Sequence, residues 1–271
     1  MSPGNPAPPA AARQLLEAQY RESLAAVTER MFAAAGIGTG QRVLDIGTGA
    51  GETALLAAER VGPTGRVLAT DISMAAMEGL AARIRTHPRP LSITLESIAA
   101  ESLALDPGSF NVALARNSVM YFTDLPRALT NIRAALLTGG RFVASVYGSP
   151  EREPFHAFPI AAVRRRCQIN APYPDYVQAF RVGADEVESA LRDAGFAAVA
   201  RHIVTTARSF PSLAAALNAL RLSRSLAQLL SVLPDGQREG AWAEIESGFR
   251  EYESASGLRI PGEQVILVAT A

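Results

Sequence analysis

The chain has 271 residues, 48% of them hydrophobic, and its 26 basic side chains are balanced by 26 acidic ones. That size supports one large or two small folded domains, and the balanced charge leaves no electrostatic footprint for nucleic acid or an anionic membrane. A single cysteine, Cys167, excludes an intrachain disulfide and a multi-cysteine zinc site and suits a reducing compartment.

Apart from histidine, every basic side chain is arginine. Together with abundant alanine, this suggests a GC-rich coding genome of bacterial type. The opening "MSPGNPAPPAAARQ" lacks the basic-then-apolar order of a secretion signal and reads as a disordered, proline-rich tail over residues 1–12. No apolar run approaches the ~20 residues needed to span a bilayer, so the expectation is a cytoplasmic protein without a membrane partner.

Residues 12–35 carry helical spacing through Leu15, Leu16, Leu24, Val27 and Met31, and Gly36 stands where a C-cap belongs. A regular alternation follows. "RVLDI" predicts a strand, "ETALLAAERV" a helix, and "GRVLAT" a strand entered through the turn "GPTG". "SMAAMEGLAARI" predicts a helix capped by Ser73, and "LSITLES" and "FNVALAR" predict strands. "DLPRALTNIRAAL" predicts a helix capped by Asp124, and "GGRFVASVY" a fifth strand. After Tyr147 the rhythm breaks into a proline- and aromatic-rich stretch. It resumes with the helix "ADEVESALRDAG" and the strand "FAAVARHIVTT", breaks again for two helical stretches, and closes on the strand "EQVILVATA".

Strands alternating with helices of this length imply right-handed βαβ units and a parallel sheet. The expected fold is therefore α/β: a Rossmann-like sheet of seven strands, mostly parallel with the last antiparallel, and helices on both faces. One domain is expected over residues 13–271. It has an N-terminal helical cap at 13–36 and insertions at about 148–182 and 207–258 that form a helical lid. Ligands of such sheets bind beyond the carboxyl ends of the strands, at the switch in strand order.

The turn after the first strand holds Gly47, Gly49 and Gly51, with Thr48 between the first two and Asp45 ahead of them. Glycines permit a tight turn and close approach of a ligand, and the helix that follows favours an anionic group at its N-terminus. The spacing departs from the dinucleotide pattern G-x-G-x-x-G, and the Walker lysine is absent. A carboxylate at Asp45 repels a pyrophosphate and attracts an ammonium. S-adenosylmethionine, with a carboxylate and an ammonium at one end and a cationic sulfonium, fits both demands. Asp71, at the end of the second strand, is placed to accept the ribose hydroxyls.

With these residues in view, the sequence resembles the class I S-adenosylmethionine-dependent methyltransferases, specifically the group of ubiquinone and menaquinone biosynthesis enzymes. The resemblance rests on "VLDIGTGAGETALLAA", "GPTGRVLATDISMAAME", the stretch from "SFNVALARNS" to "GGRFVAS", "DEVESALRDAGFAAV" and the closing "GEQVILVATA". It implies S-adenosylmethionine as cofactor and S-adenosylhomocysteine as product. It also puts Ile72 beside the adenine, and Arg116 and Asn117 beside the methionine end. Ala99 stands where the family carries an acid for the adenine amine, and Glu101 is the nearby group that could compensate.

Methyl transfer from a sulfonium is an in-line displacement helped by orientation, and an oxygen nucleophile often needs a base. Of the three histidines, His156 is the expected base, beside a small-molecule acceptor that Tyr20, Tyr121 and Tyr147 help to contact. The arginines of "VRRRC" with Arg221 and Arg224 suggest an anion site, against the simpler reading of solvated charges. The expected function is methyl transfer to an oxygen or carbon of a mid-sized, largely apolar molecule of secondary or quinone-like metabolism. The rivals are a cyclase that uses the cofactor without methyl transfer, a nicotinamide-dependent oxidoreductase, and a non-catalytic binding protein.

Overall fold

The computed structural model describes residues 10–166, 180, 182–222 and 224–271. Residues 1–9, Cys167, Tyr173, Tyr176 and the side chain of Arg224 lie outside that description. The chain forms two compact units. A sheet unit comprises Val27–Tyr147, Arg181–Val204 and Gln264–Ala271, and a helical unit comprises Met1–Ala26, Gly148–Phe180 and Thr205–Glu263. No helix among the described residues is long and apolar enough to cross a membrane.

The first helix, α1, runs over Ala10–Ala35. Gly36 ends it in the left-handed conformation (φ 67°), its N–H on the Phe32 carbonyl, as the sequence predicts. The alternation then proceeds through β1 (Arg42–Ile46), α2 (Glu52–Val61), β2 (Arg66–Thr70), α3 (Met74–Arg85), β3 (Ile93–Glu96), β4 (Phe110–Arg116), α4 (Leu125–Ala135) and β5 (Leu136–Tyr147). Ser73 caps α3 by accepting from the Ala76 amide, and Asp124 caps α4 by accepting from the Arg127 amide. The remaining elements are α5 (Pro154–Arg166), α6 (Ala184–Asp193), β6 (Ala198–Phe210), α7 (Leu213–Arg221), α8 (Arg224–Ser231), α9 (Asp235–Arg250), β7 (Glu253–Ser254) and β8 (Gly257–Thr270).

The strand order is β3-β2-β1-β4-β5-β8-β6, with the two-residue β7 paired to β8. β1 to β5 are parallel to their neighbours, and β8 runs antiparallel to β5 with Tyr147 opposite Gln264. The fold is the expected Rossmann-like sheet. The added strand β7 arises because the closing strand begins at Gly257, and its first residues fold back on Glu253 and Ser254. The central stretches of the inner strands are apolar without alternation, since residues buried on both faces have no reason to alternate. Val43 and Leu44 of β1 are wholly buried, each contributing about 1.5–3 kcal/mol. The order reverses between β1 and β4, so the switch point lies where their carboxyl ends present Asp45 and Arg116.

The helical unit has its own core. Phe155, Phe210 and Phe249 stack at centroid distances of 5.7 and 6.0 Å, surrounded by Leu217, Leu229 and Ile245. Arg165 and Arg166 at the end of α5 both pair with Glu244 of α9, and the Arg221 guanidinium lies 4.9 Å over the Trp242 ring. Those three arginines are engaged by partners within their own unit, a use that neither sequence reading gave.

Candidate cofactor site

The glycine turn joins β1 to α2 through three residues with positive φ: Gly47 at 66°, Gly49 at 54° and Gly51 at 79°. Two of them are also sterically required. A Cβ on Gly47 would collide with Ser118, and one on Gly51 with Leu80. Gly49 is different: a Cβ there would meet no atom within 4 Å, so its backbone faces open space. α2 starts directly from Gly51 with no side chain capping it, and the positive end of a helix dipole favours an anionic ligand.

Two carboxylates brace this turn. Asp71 accepts the Gly49 amide on one oxygen and the Ser73 amide on the other, both at 2.8 Å. Asp45 is buried, and its Oδ2 accepts the hydroxyls of Thr48 at 2.6 Å and Thr53 at 2.7 Å. Its Oδ1 is buried with no partner among the described residues. Burial raises the Asp45 carboxyl above its usual range, and the nearby Asp71 adds to the rise. The two threonine hydroxyls and the Arg116 charge work the other way. A cation supplied by a ligand would complete this carboxylate, whereas a pyrophosphate would be repelled.

Residues 43–140 match the family model of a methyltransferase domain. Over that stretch, about a third of its length, the chain is similar to a methyltransferase domain. Its cofactor is S-adenosylmethionine. Over 111 residues it is 31% identical to a demethylmenaquinone methyltransferase of Symbiobacterium thermophilum, covering 41% of this chain and 44% of that protein. A ubiquinone/menaquinone biosynthesis C-methyltransferase of Pseudoalteromonas translucida is 26% identical, over 61% of this chain and 70% of that protein. The fold is shared with the crystal structure of the YcgJ protein from Bacillus subtilis, with a TM-score of 0.61 at 18% identity, over 90% of this chain and 97% of that one.

Around the turn of the methyltransferase domain, the other sequence-derived residues divide. Ile72 is 75% exposed, which removes core packing as its explanation. Asn117 has a positive φ of 52°. Its amide is held by Ser145, its Oδ1 accepts the Ser145 hydroxyl at 3.0 Å, and its buried Nδ2 has no partner among the described residues. Arg116 is engaged within the protein, donating to Thr28 and to Glu52, each at 2.7 Å. It orders the first turn of α2 and holds positive charge near Asp45.

Glu101, the group that could substitute for an acid at Ala99, uses one carboxylate oxygen, Oε1, within the protein. Its carboxylate accepts the amides of Thr123 and Asp124 and the Thr123 hydroxyl, so it is tied to the start of α4. Tyr121, about one-third exposed, and the buried Tyr147 belong to the sheet unit, and Tyr20 and His156 to the helical unit.

His156, expected as a base, is buried in a packed cluster. Its Nδ1 lies 3.3 Å from Glu153 and its Nε2 3.5 Å from the Arg208 guanidinium, which also covers the rings of Tyr20 and Phe155. Partner chemistry assigns the ring proton to Nδ1, leaving the Nε2 lone pair facing a cation. Burial lowers the His156 pKa, the Glu153 hydrogen bond opposes that, and Arg208 adds to the lowering. A neutral imidazole arranged this way packs and orients its unit.

Sequence reasoning did not find Thr53, Glu52, Thr28 or Ser145. Glu52, Thr28 and Ser145 act through partners distant in the chain, whereas Thr53, in the first turn of the helix after the glycines and eight residues from Asp45, left a readable signal.

Proposed function

We propose that this methyltransferase domain moves the methyl group of S-adenosylmethionine to an oxygen or carbon nucleophile of a mid-sized, largely apolar, quinone-like small molecule. When bound, the cofactor supplies a methyl group activated by its sulfonium. The chain's own residues bind and orient it. Asp45 Oδ1 accepts from the ammonium, the Asn117 Nδ2 donates to the carboxylate, which the positive end of the α2 dipole also favours, and the remaining lone pairs of Asp71 take the ribose hydroxyls. Ile72 lends an apolar face to the base. Tyr121 and Tyr147, near the carboxyl edge of the sheet, are the acceptor-side groups of this reading, and His156 enters no step.

The observation that carries the proposal is the pairing of two buried, unpartnered polar atoms, an acceptor on Asp45 and a donor on Asn117, beside a glycine turn with open space at Gly49. The quinone-like acceptor draws support from what the names of the two relatives say of those proteins. The test is incubation with S-adenosylmethionine and a reduced, unmethylated naphthoquinol, read by mass spectrometry. Formation of S-adenosylhomocysteine together with a monomethylated acceptor is expected. Turnover of the acceptor without S-adenosylhomocysteine would overturn methyl transfer, and no reaction with quinols alongside methylation of another acceptor class would overturn the substrate.

A further inference from the structure

Two threonine hydroxyls converge on a single carboxylate oxygen at the glycine turn. Thr48, between the first two glycines, and Thr53, in the first turn of α2, meet Asp45 Oδ2 at 2.6 and 2.7 Å. Asp45 is 1% exposed and Thr53 2%, so water is no substitute for either partner. The other oxygen, Oδ1, is also buried and has no partner among the described residues. The carboxylate is saturated on one side and open on the other.

That asymmetry bears on both the charge and the direction of the group. Each hydroxyl carries one proton, and both protons can be given to Oδ2 only if that oxygen accepts twice. A carboxyl protonated on Oδ2 would give up one of the two bonds. One protonated on Oδ1 would present a donor where an ammonium needs an acceptor. The arrangement therefore favours the charged carboxylate, with the Oδ1 lone pairs left for a cation. Without the hydroxyls the carboxylate would turn about a broad torsion. Its charged neighbours are the Arg116 guanidinium at the end of β4, paired with Glu52 of α2 at 2.7 Å, and the Asp71 carboxylate after β2. Burial and Asp71 push the Asp45 carboxyl up, and the two hydroxyls hold it down more than Arg116 does.

We propose that Thr53, together with Thr48, is a positioning residue for S-adenosylmethionine: its hydroxyl aims Asp45 Oδ1 at the ammonium and keeps the carboxylate charged. Thr53 acts through Asp45 and not by contact with the cofactor. The proposal rests on the cofactor orientation given above, in which Asp45 receives the ammonium. Binding then requires the charged carboxylate, so affinity falls as the pH drops through the Asp45 pKa. Losing a donor raises that pKa and brings the fall to a higher pH.

The test is calorimetric titration of the full chain between about pH 5 and 8 with S-adenosylhomocysteine and with its desamino analogue, which lacks the ammonium. Thr53→Val removes the hydroxyl and keeps the shape. It should weaken S-adenosylhomocysteine about tenfold at about pH 7 and move the acid midpoint of binding up by about one pH unit, without weakening the analogue. Thr53→Ser keeps the donor and should stay within about threefold of the wild type. Thr48→Val should move the midpoint in the same direction, and it carries the test if Thr53→Val does not fold. An unshifted midpoint in a folded valine variant overturns the proposal, as does equal weakening of both ligands, which is the mark of a purely structural role. Equal affinity of the wild type for the two ligands refutes the Asp45–ammonium contact itself, a result distinct from any change confined to the variants.

Discussion

Replacing Asp71 by alanine should damage the cofactor seat in two separable ways. Its two oxygens hold the Gly49 and Ser73 amides at 2.8 Å each, pinning the glycine turn to the start of α3. Hydrogen bonds to a charged group contribute about 1.5–3 kcal/mol each, and partial exposure, which lets water replace the acceptor, puts these at the low end. The expected loss of stability is about 2–3 kcal/mol. Losing the ribose contacts should add a roughly thirtyfold or greater fall in affinity for S-adenosylhomocysteine. Asparagine should rescue little, because its amide nitrogen would meet an N–H donor on one side. Denaturant unfolding and calorimetric titration read the two effects independently. Wild-type affinity in folded Asp71→Ala protein would refute the ribose contact, and wild-type stability would refute the pinning of the turn.

The glycines of the turn should respond differently. Gly51→Ala combines a φ of 79° with overlap on Leu80, so it should cost upwards of about 2 kcal/mol of stability, seen in the unfolding midpoint. Gly49→Ala meets no protein atom and should reduce cofactor affinity far more than stability. Glu101→Ala removes the acceptor of two backbone amides near α4 and should cost about 1–2 kcal/mol while leaving S-adenosylhomocysteine affinity unchanged. His156 has a folded pKa below its ordinary value. Below about pH 6.5 the unfolded chain therefore takes up a proton that the folded one refuses, and stability falls as the pH drops through that range. His156→Asn should flatten this slope in urea melts recorded between about pH 5 and 7.

Local chemistry was the readable part of this sequence. Ser73, Asp124 and Gly36 act as caps because capping depends on a few neighbouring residues. The inner strands of the sheet stood out because burial on both faces demands unbroken apolar runs. The ends of the elements were harder. α4 passes straight into β5 at Leu136, where pairing with Phe110 extends the strand past the glycines that seemed to begin it. "SLAAALNALRLSRSLAQLL" has the spacing of one helix, yet α7 ends at Arg221 and α8 starts at Arg224.

At the site, Asp45, Asp71 and the three glycines were legible because strand ends and turns announce themselves. The long-range partners were hidden. Arg116 reads as a free cation at the binding edge until Thr28 and Glu52 are seen to hold it, and Glu101 as a spare acid until α4 is seen to use it.

The central claim is that the turn after β1 seats the amino-acid end of S-adenosylmethionine on Asp45. The most direct measurement is a calorimetric titration of the wild-type chain and Asp45→Ala with S-adenosylhomocysteine, with NADH as the competing cofactor. One site for S-adenosylhomocysteine is expected in the wild type, with affinity roughly thirtyfold or more weaker in the variant, as removal of one member of a buried charge pair implies, and no heat from NADH. Equal affinity in a folded variant, or tight binding of NADH in place of S-adenosylhomocysteine, would contradict the account.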